Sequence, residues 1–303
     1  MADTSLPNAR ARRTPMTIIE LIERSSARLE QAGVSFGQGT TNPFDEAAWL
    51  VLWRLNLPLD ALDDVAAREV DDAAIAHVDA LIARRIDTRR PAAYLTGEAW
   101  LQGVPFTIDE RAIVPRSLIA EVLADDTLDA WLHGPPARVL DLCTGSGSLA
   151  VLAAMRWPAA SVDATDLSAD ALNLARINVQ RHDLDDRVAL HQGDGFAAVR
   201  DRYDLILCNP PYVNAASMAA LPLEFRCEPA IALAGGEDGM DFVRRVIHEA
   251  AVHLQPNGLL VLEIGHERAH FDAAFPRLDV VALPTSDGDD AVLLITRDAL
   301  ERA

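Results

Sequence analysis

Apolar residues recur at helical spacing through the first 95 residues of the chain. Asn42-Pro43 has the features of a helix start, because asparagine caps helices and proline suits the first helical position. The pattern is interrupted at Gly33 and at Pro91, which are typical helix-ending residues. We therefore predict a helical domain over residues 16–95, with apolar stripes made by Ile18, Ile22 and Leu29 and by Ile75, Val78, Ile82 and Ile86.

From about residue 116, short apolar runs alternate with helical segments. Such alternation predicts an α/β domain with a parallel, doubly wound sheet. No helix separates the last two runs, only a turn at Pro284-Thr285-Ser286-Asp287-Gly288, so these two strands are expected to form an antiparallel hairpin at one edge of the sheet. The predicted strands are 138–142, 161–166, 187–191, 203–208, 258–264, 279–283 and 291–296, and the helices between them include 148–157, 169–181 and 241–254.

Two segments of the chain lie outside these two predicted domains. Residues 96–115 combine Gly, Pro and β-forming residues, and we predict a β-hairpin linker there. Residues 1–15 contain no apolar signal-peptide core and are predicted to form a disordered tail. The α/β domain then covers residues 116–303.

Composition narrows the class of protein. Half of the residues are hydrophobic and 24% are charged, as in soluble globular proteins, and no apolar run is long enough to span a bilayer. The three cysteines show no paired spacing, so we expect a reduced, cytoplasmic setting. The chain contains no lysine, which excludes phosphate-loop, protein-kinase and pyridoxal-phosphate lysine chemistry.

Charge is unevenly distributed along the chain. Residues 96–303 carry 16 Arg and 32 acidic residues, a net −16 out of −19 for the whole chain. An acidic second domain suits a basic protein partner and disfavours strong binding to nucleic-acid phosphates. We interpret the cluster of Arg84, Arg85, Arg89 and Arg90 as a solvated helix end rather than an RNA contact.

A glycine-rich turn follows the first predicted strand of the second domain. Gly145, Gly147 and Ala150 fit the G-x-G-x-x-[GA] pattern, in which small residues let a nucleotide approach the backbone, although glycine turns also serve close packing alone. Asp166 ends the second strand and can accept the hydroxyls of a ribose. Asp194, after the third strand, can bond an adenine amine, but Asp-Gly is also a common turn.

The fourth predicted strand runs directly into Cys208-Asn209-Pro210-Pro211-Tyr212. Proline cannot donate to a sheet, so the strand ends here, and Asn209 is held extended by the proline that follows. A rigid turn is the simplest interpretation. However, ligands bind at the carboxyl ends of parallel strands, and polar residues end three consecutive strands.

One motif indicates different chemistry. His266-Glu267-Arg268-Ala269-His270 matches H-E-x-x-H, which on a helix places two imidazoles on one face for zinc. No third ligand is evident, so we assign no metal and interpret the segment as an exposed amphipathic helix.

The chain resembles the S-adenosylmethionine-dependent methyltransferases of planar amino groups. Two motifs together carry this resemblance: Asn-Pro-Pro-Tyr after the fourth strand, and Asp141-x-x-x-Gly145-x-Gly147 at the end of the first. Their acceptors are exocyclic amines of nucleobases and the side-chain amide of glutamine. An amide nitrogen is a poor nucleophile because its lone pair is delocalised. The Asn209 side-chain oxygen and the Pro210 carbonyl can each accept one of its hydrogens, and Tyr212 can stack on the amide plane.

The resemblance is closest to the bacterial family that methylates a glutamine of large-subunit ribosomal protein L-three. It implies an N-terminal helical substrate domain, a seven-stranded cofactor domain and glutamine-N(5) methylation. The resemblance also implies which residues bind each molecule. The cofactor would be bound by Asp141, Cys143, Thr144, Gly145, Ser146, Gly147, Asp166, Asp194 and Asn209. The substrate would be bound by Asn209, Pro210, Pro211 and Tyr212. The segments that carry it are Gly37-Gln-Gly-Thr-Thr-Asn-Pro-Phe-Asp-Glu-Ala47, Ala93-Tyr-Leu-Thr96, Asp109-Glu-Arg111, Val114-Pro-Arg-Ser117, and Glu228-Pro229 through Asp238-Gly239.

Other functions remain open from the sequence. The sister family, which methylates peptide-chain release factors, has Ile-Pro-Arg-Pro where this chain has Val114-Pro-Arg-Ser117, and tryptophan where this chain has Gly195. Adenine methylation of nucleic acid is a mechanistic rival. A nicotinamide oxidoreductase, a zinc hydrolase and a non-catalytic protein that binds S-adenosylmethionine are the alternatives from other classes.

Overall fold

A computed structural model describes residues 16–302, so the predicted tail at residues 1–15 lies outside the described residues. The chain divides into two compact units. The first comprises the described residues up to Phe36 together with Thr40–Arg89, and the second comprises Gly37–Gly39 and the chain from Arg90 onward. The first unit ends at Arg89, whereas we predict a helical domain up to residue 95, and residues 96–115 lie in the second unit.

The first unit is helical, as the apolar spacing predicts. The side chain of Asn42 accepts the Asp45 N–H at 2.9 Å, and Pro43 is the first helical residue, so the predicted helix start is confirmed. Ile22 and Ile82 are fully buried in its core. Its elements are β1 (Met16–Thr17), α1 (Ile18–Gln31), α2 (Pro43–Arg54), α3 (Leu62–Val65), β2 (Glu69–Val70) and α4 (Asp72–Thr88).

The interpretation of the arginine cluster as a solvated helix end is wrong for two of its members. Arg85 is only 1% exposed, and its Nε donates to Glu46 Oε1 at 2.8 Å. Arg89 donates through its guanidinium to the carbonyls of Ala32 and Gly33, just beyond the end of α1. Both side chains satisfy acceptors distant in sequence, and helical position alone does not reveal those partners.

The second unit begins with a short helix and a two-stranded antiparallel hairpin, which confirms the predicted β-hairpin. A seven-stranded sheet with helices follows. Its elements are α5 (Ala92–Thr96), β3 (Glu98–Leu101), β4 (Val104–Thr107), α6 (Ile119–Ala124), β5 (Arg138–Leu142), α7 (Ser148–Arg156), β6 (Ser161–Asp166), α8 (Ala169–Arg181), β7 (Val188–Gln192), β8 (Tyr203–Cys208), α9 (Ala215–Ala220), α10 (Asp241–His253), β9 (Leu254–Glu263), α11 (Arg268–Ala274), β10 (Val281–Thr285), β11 (Gly288–Thr296) and α12 (Arg297–Arg302).

Strand order in the large sheet is β10-β11-β9-β8-β5-β6-β7. The five strands from β9 to β7 are parallel, and β10 and β11 form the antiparallel hairpin predicted for one edge. The central strands are buried on both faces, which explains their continuous apolar runs. The order reverses between β5 and β8, the position where open α/β sheets bind ligands.

No helix among residues 16–302 is both long enough and apolar enough to cross a membrane.

Candidate active site

The glycine-rich turn leads from β5 into α7 at the reversal point of the sheet. Gly147 has φ +81°, and a Cβ at this position would lie 3.0 Å from the Cβ of Ala175 on α8. Glycine is therefore required both by the left-handed backbone and by the close approach of α8. The Thr144 N–H donates to the Thr165 carbonyl at 2.9 Å, which ties the turn to the end of β6.

Asp166 ends β6 beside this turn. Its Oδ2 accepts the Gly145 N–H at 2.9 Å and its Oδ1 accepts the Ser168 N–H at 2.8 Å. Burial raises the pKa of Asp166 above its usual range, although these backbone donors oppose the shift. Each carboxylate oxygen retains a lone pair, so the group can still accept two hydroxyls from a ligand.

Asp141 lies behind the turn and supports it. It is 1% exposed, and its Oδ2 accepts the Thr144 hydroxyl at 2.5 Å and the Ala150 N–H at 3.0 Å. Burial raises the pKa of Asp141 to about 7. The carboxyl group therefore joins the turn to the first residues of α7.

A cavity of about 400 Å³ opens in front of the turn. Asp141 and three other predicted cofactor-binding residues, Thr144, Ser146 and Gly147, do not line it. Three of these four are buried polar side chains that form the turn from behind. The predicted cofactor-binding residues that do line the cavity are Cys143, Gly145, Asp166, Asp194 and Asn209.

The aromatic and apolar residues that line this cavity were not indicated by the sequence motifs. Phe242 of α10 lies beside Gly195, and its ring would be in ordinary contact, at 3.7 Å, with a Cβ at Gly195. Phe242 and the half-exposed Leu167 both line the cavity. Asp194 also lines the cavity, but one of its carboxylate oxygens is already bonded, because Oδ1 accepts a hydrogen bond from Arg245 Nη1 at 2.9 Å.

Asn209 follows β8 and lines both this larger cavity and a smaller one of about 170 Å³. Pro210 and Tyr212 line only the smaller cavity, whereas Pro211 lines only the larger one. Asn209 is half-buried, and within residues 16–302 its carboxamide bonds to no protein group. Its side-chain oxygen is thus available to a ligand at the boundary of the two cavities.

A buried ion pair holds one wall of the smaller cavity. Arg116 lines it and donates through Nη1 and Nη2 to Glu228 at 2.6 and 2.8 Å, and Glu228 also accepts the Val114 N–H at 2.9 Å. The guanidinium lies over the ring of Phe225, 5.5 Å from its centroid. The segments at 114–117 and 228–229 therefore meet at this wall, although the sequence showed only that both belong to a family pattern.

The H-E-x-x-H segment does not present two histidines on one helix face. The helix α11 begins at Arg268, and His266 lies before it with its side chain 88% exposed. Glu267 is buried and accepts hydrogen bonds from the side chains of Asn214 and His270, both at 2.6 Å. The predicted exposed helix is correct only from Arg268 onward.

The chain is similar to known methyltransferases. Residues 120–225 match the family described as Methyltransferase small domain. A solved methyltransferase from Pyrococcus furiosus is 20% identical, with a TM-score of 0.47, and the match covers 65% of this chain and 89% of that one. The seven-stranded, mostly parallel sheet with helices is a class I methyltransferase fold.

Curated relatives match almost the whole chain, and they are named ribosomal protein uL3 glutamine methyltransferase. The protein from Bordetella pertussis is 53% identical over 94% of this chain and 96% of its own length. The protein from Bradyrhizobium diazoefficiens is 45% identical over 99% of this chain and 100% of its own length. The chain therefore belongs to the family of uL3 glutamine methyltransferases.

Proposed function

We propose that this protein transfers a methyl group from S-adenosylmethionine to the side-chain amide nitrogen of a glutamine in ribosomal protein L-three (uL3). The observation that carries the proposal is the position of Asn209, which lines both the larger and the smaller cavity and whose carboxamide bonds to no protein group within the described residues 16–302. The names of the relatives support uL3 as the acceptor. Ribosomal proteins are made and assembled in the cytoplasm, so we propose that location for the enzyme.

The residues of the larger cavity fit S-adenosylmethionine. The Asp166 carboxylate has free lone pairs for ribose hydroxyls, and Phe242 and Leu167 offer an apolar wall for a planar base. The glycine turn removes side chains at the closest approach to the backbone. When bound, this cofactor supplies an electrophilic methyl group on a sulfonium centre.

The residues of the smaller cavity account for the activation of an amide nitrogen. The oxygen of Asn209 and the carbonyl of Pro210 accept the two N–H hydrogens, which turns the nitrogen lone pair out of conjugation and toward the larger cavity. Tyr212 lines the same cavity and bounds the amide plane. Both acceptors interact more strongly as positive charge develops on nitrogen, and the proton leaves after the new bond has formed.

Replacing Asp166 with alanine should weaken S-adenosylmethionine binding by about 5- to 150-fold. This range corresponds to about 1–3 kcal/mol for leaving buried polar groups unpaired. Calorimetry on the whole chain measures the change, with Asp170→Ala as the matched control, because Asp170 is an exposed carboxylate in the first turn of α8. Unchanged affinity in Asp166→Ala would remove Asp166 from the cofactor site.

The acceptor is tested by offering methyl-labelled cofactor separately to purified ribosomal protein L-three, a peptide-chain release factor and ribosomal RNA. We expect label only on the ribosomal protein, and a lower rate at high salt, because the acidic second domain attracts a basic protein. Label only on the release factor would leave the chemistry intact and overturn the acceptor. Label on RNA would favour adenine methylation instead.

A further inference from the structure

Tyr212 is held at its backbone and its ring by three glycines. A Cβ at Gly235 would lie 2.7 Å from the Tyr212 Cα, and one at Gly239 would overlap the Tyr212 carbonyl oxygen. A Cβ at Gly265 would lie 2.6 Å from a ring carbon of Tyr212. Real Cβ atoms do not approach other atoms so closely, so side chains at these positions would collide with Tyr212, and one at Gly235 would also collide with the backbone of Gly239.

The hydroxyl of Tyr212 has a buried partner beyond the ring. It donates to Glu263 Oε1 at 3.2 Å, and Glu263, the last residue of β9, is only 3% exposed. The other carboxylate oxygen, Oε2, accepts the Ser117 hydroxyl at 2.5 Å and the Leu118 N–H at 2.9 Å. The carboxylate therefore joins the end of β9, the segment before α6 and the Tyr212 ring.

Burying a carboxylate is energetically unfavourable unless its oxygens are hydrogen-bonded, so the burial of Glu263 calls for a functional explanation. Glu263 lines the same small cavity as Asn209 and Tyr212 but lies behind the hydroxyl end of the ring. We propose that Glu263 is a positioning residue for methyl transfer: it fixes the Tyr212 ring so that the target amide meets a rigid wall. This inference rests on the proposed function only for its effect on rate, not for the contact itself.

The expected kinetic effect of Glu263→Ala is a fall of about 10- to 100-fold in kcat/KM for the protein acceptor, since small misplacements of a positioning group cost this much. The KM for S-adenosylmethionine should be unchanged, because Glu263 does not line the larger cavity. Glu263→Gln should recover most of the activity, because its amide can bond the Tyr212 hydroxyl, the Ser117 hydroxyl and the Leu118 N–H.

A double-mutant cycle separates positioning from a general loss of structure. Tyr212→Phe removes only the hydroxyl, so adding Glu263→Ala to it should cause little further loss of rate. Asp204→Ala is the matched control, because Asp204 is likewise a strand carboxylate that accepts backbone N–H groups, from Ala137 and Arg138, near the start of β8. Effects of Glu263→Ala and Tyr212→Phe that multiply would overturn the proposal.

A measurement that needs no methyl acceptor keeps the test of Glu263 independent of the proposed function. The chain has three tyrosines, so NMR with ring-labelled tyrosine can assign the Tyr212 signals from their absence in Tyr212→Phe. We expect Glu263→Ala to shift and average the Tyr212 ring signals, while Glu263→Gln and Asp204→Ala leave them in place. Unchanged Tyr212 signals in Glu263→Ala would refute the positioning role even if methylation of every acceptor failed.

Discussion

Replacing Asn209 with alanine should lower the rate of methyl transfer by about 10²–10³-fold, the usual cost of removing one group that stabilises developing charge. Folding should be nearly unaffected, because the half-buried Asn209 side chain bonds to no other group among residues 16–302. Pro210 and Pro211 still shape the end of β8. Single-turnover methylation with saturating cofactor measures the chemical step directly.

Asn173→Ala is the matched control for this result. Asn173 is an exposed asparagine on α8, and it does not line either cavity. Its replacement should leave the methylation rate within about twofold, consistent with a surface change of at most about 0.5 kcal/mol. A normal rate in Asn209→Ala would show that the acceptor for the amide hydrogens lies elsewhere.

Replacing Arg85 with alanine should destabilise the first unit by about 3–5 kcal/mol, because it leaves the buried Glu46 carboxylate without its guanidinium partner. Arg85 and Glu46 are 1% and 2% exposed, so solvent cannot replace the lost contact. Hydrogen exchange at the amides of α2 and α4, followed through a urea series, reports the stability of this unit within the whole chain.

Arg84→Ala provides the comparison, since Arg84 is the exposed neighbour on the same helix, and its loss should change stability by at most about 0.5 kcal/mol. Replacing both partners, with Arg85→Met and Glu46→Leu, should recover much of the loss because no charge then remains buried. Equal effects of Arg84→Ala and Arg85→Ala would restore the interpretation of a solvated helix end.

The order of apolar runs and helical segments along the chain was enough to predict the fold class and most of the strands of the large sheet. Strands β5, β6 and β8 begin and end at the predicted residues. The mostly apolar runs of β5 and β8 are characteristic of strands buried on both faces, whereas β6 alternates polar and apolar residues. β9 begins earlier than predicted, at Leu254, where a register shift against β8 adds residues that do not look like a strand. The hairpin of β10 and β11 follows from the absence of a helix between them.

Several residues of the site could also be predicted from their positions at the ends of predicted strands. The glycine turn and Asn209 directly follow strands, Asp166 is the last residue of its strand, and a parallel sheet brings these strand ends together. The sequence could not show that Asp141 lies behind the turn instead of facing the cavity. That difference depends on which way each side chain points once α7 has packed on the sheet.

Only the tertiary structure revealed Phe242 beside Gly195, Glu263 behind Tyr212, and Glu46 beside Arg85. In each case the partners are distant in the sequence and belong to different elements, so no local spacing records their contact. A helix or strand pattern indicates which face is buried but not which residue of another element it will meet. That choice is made when the elements pack, because close packing and the pairing of buried polar groups then select the partner.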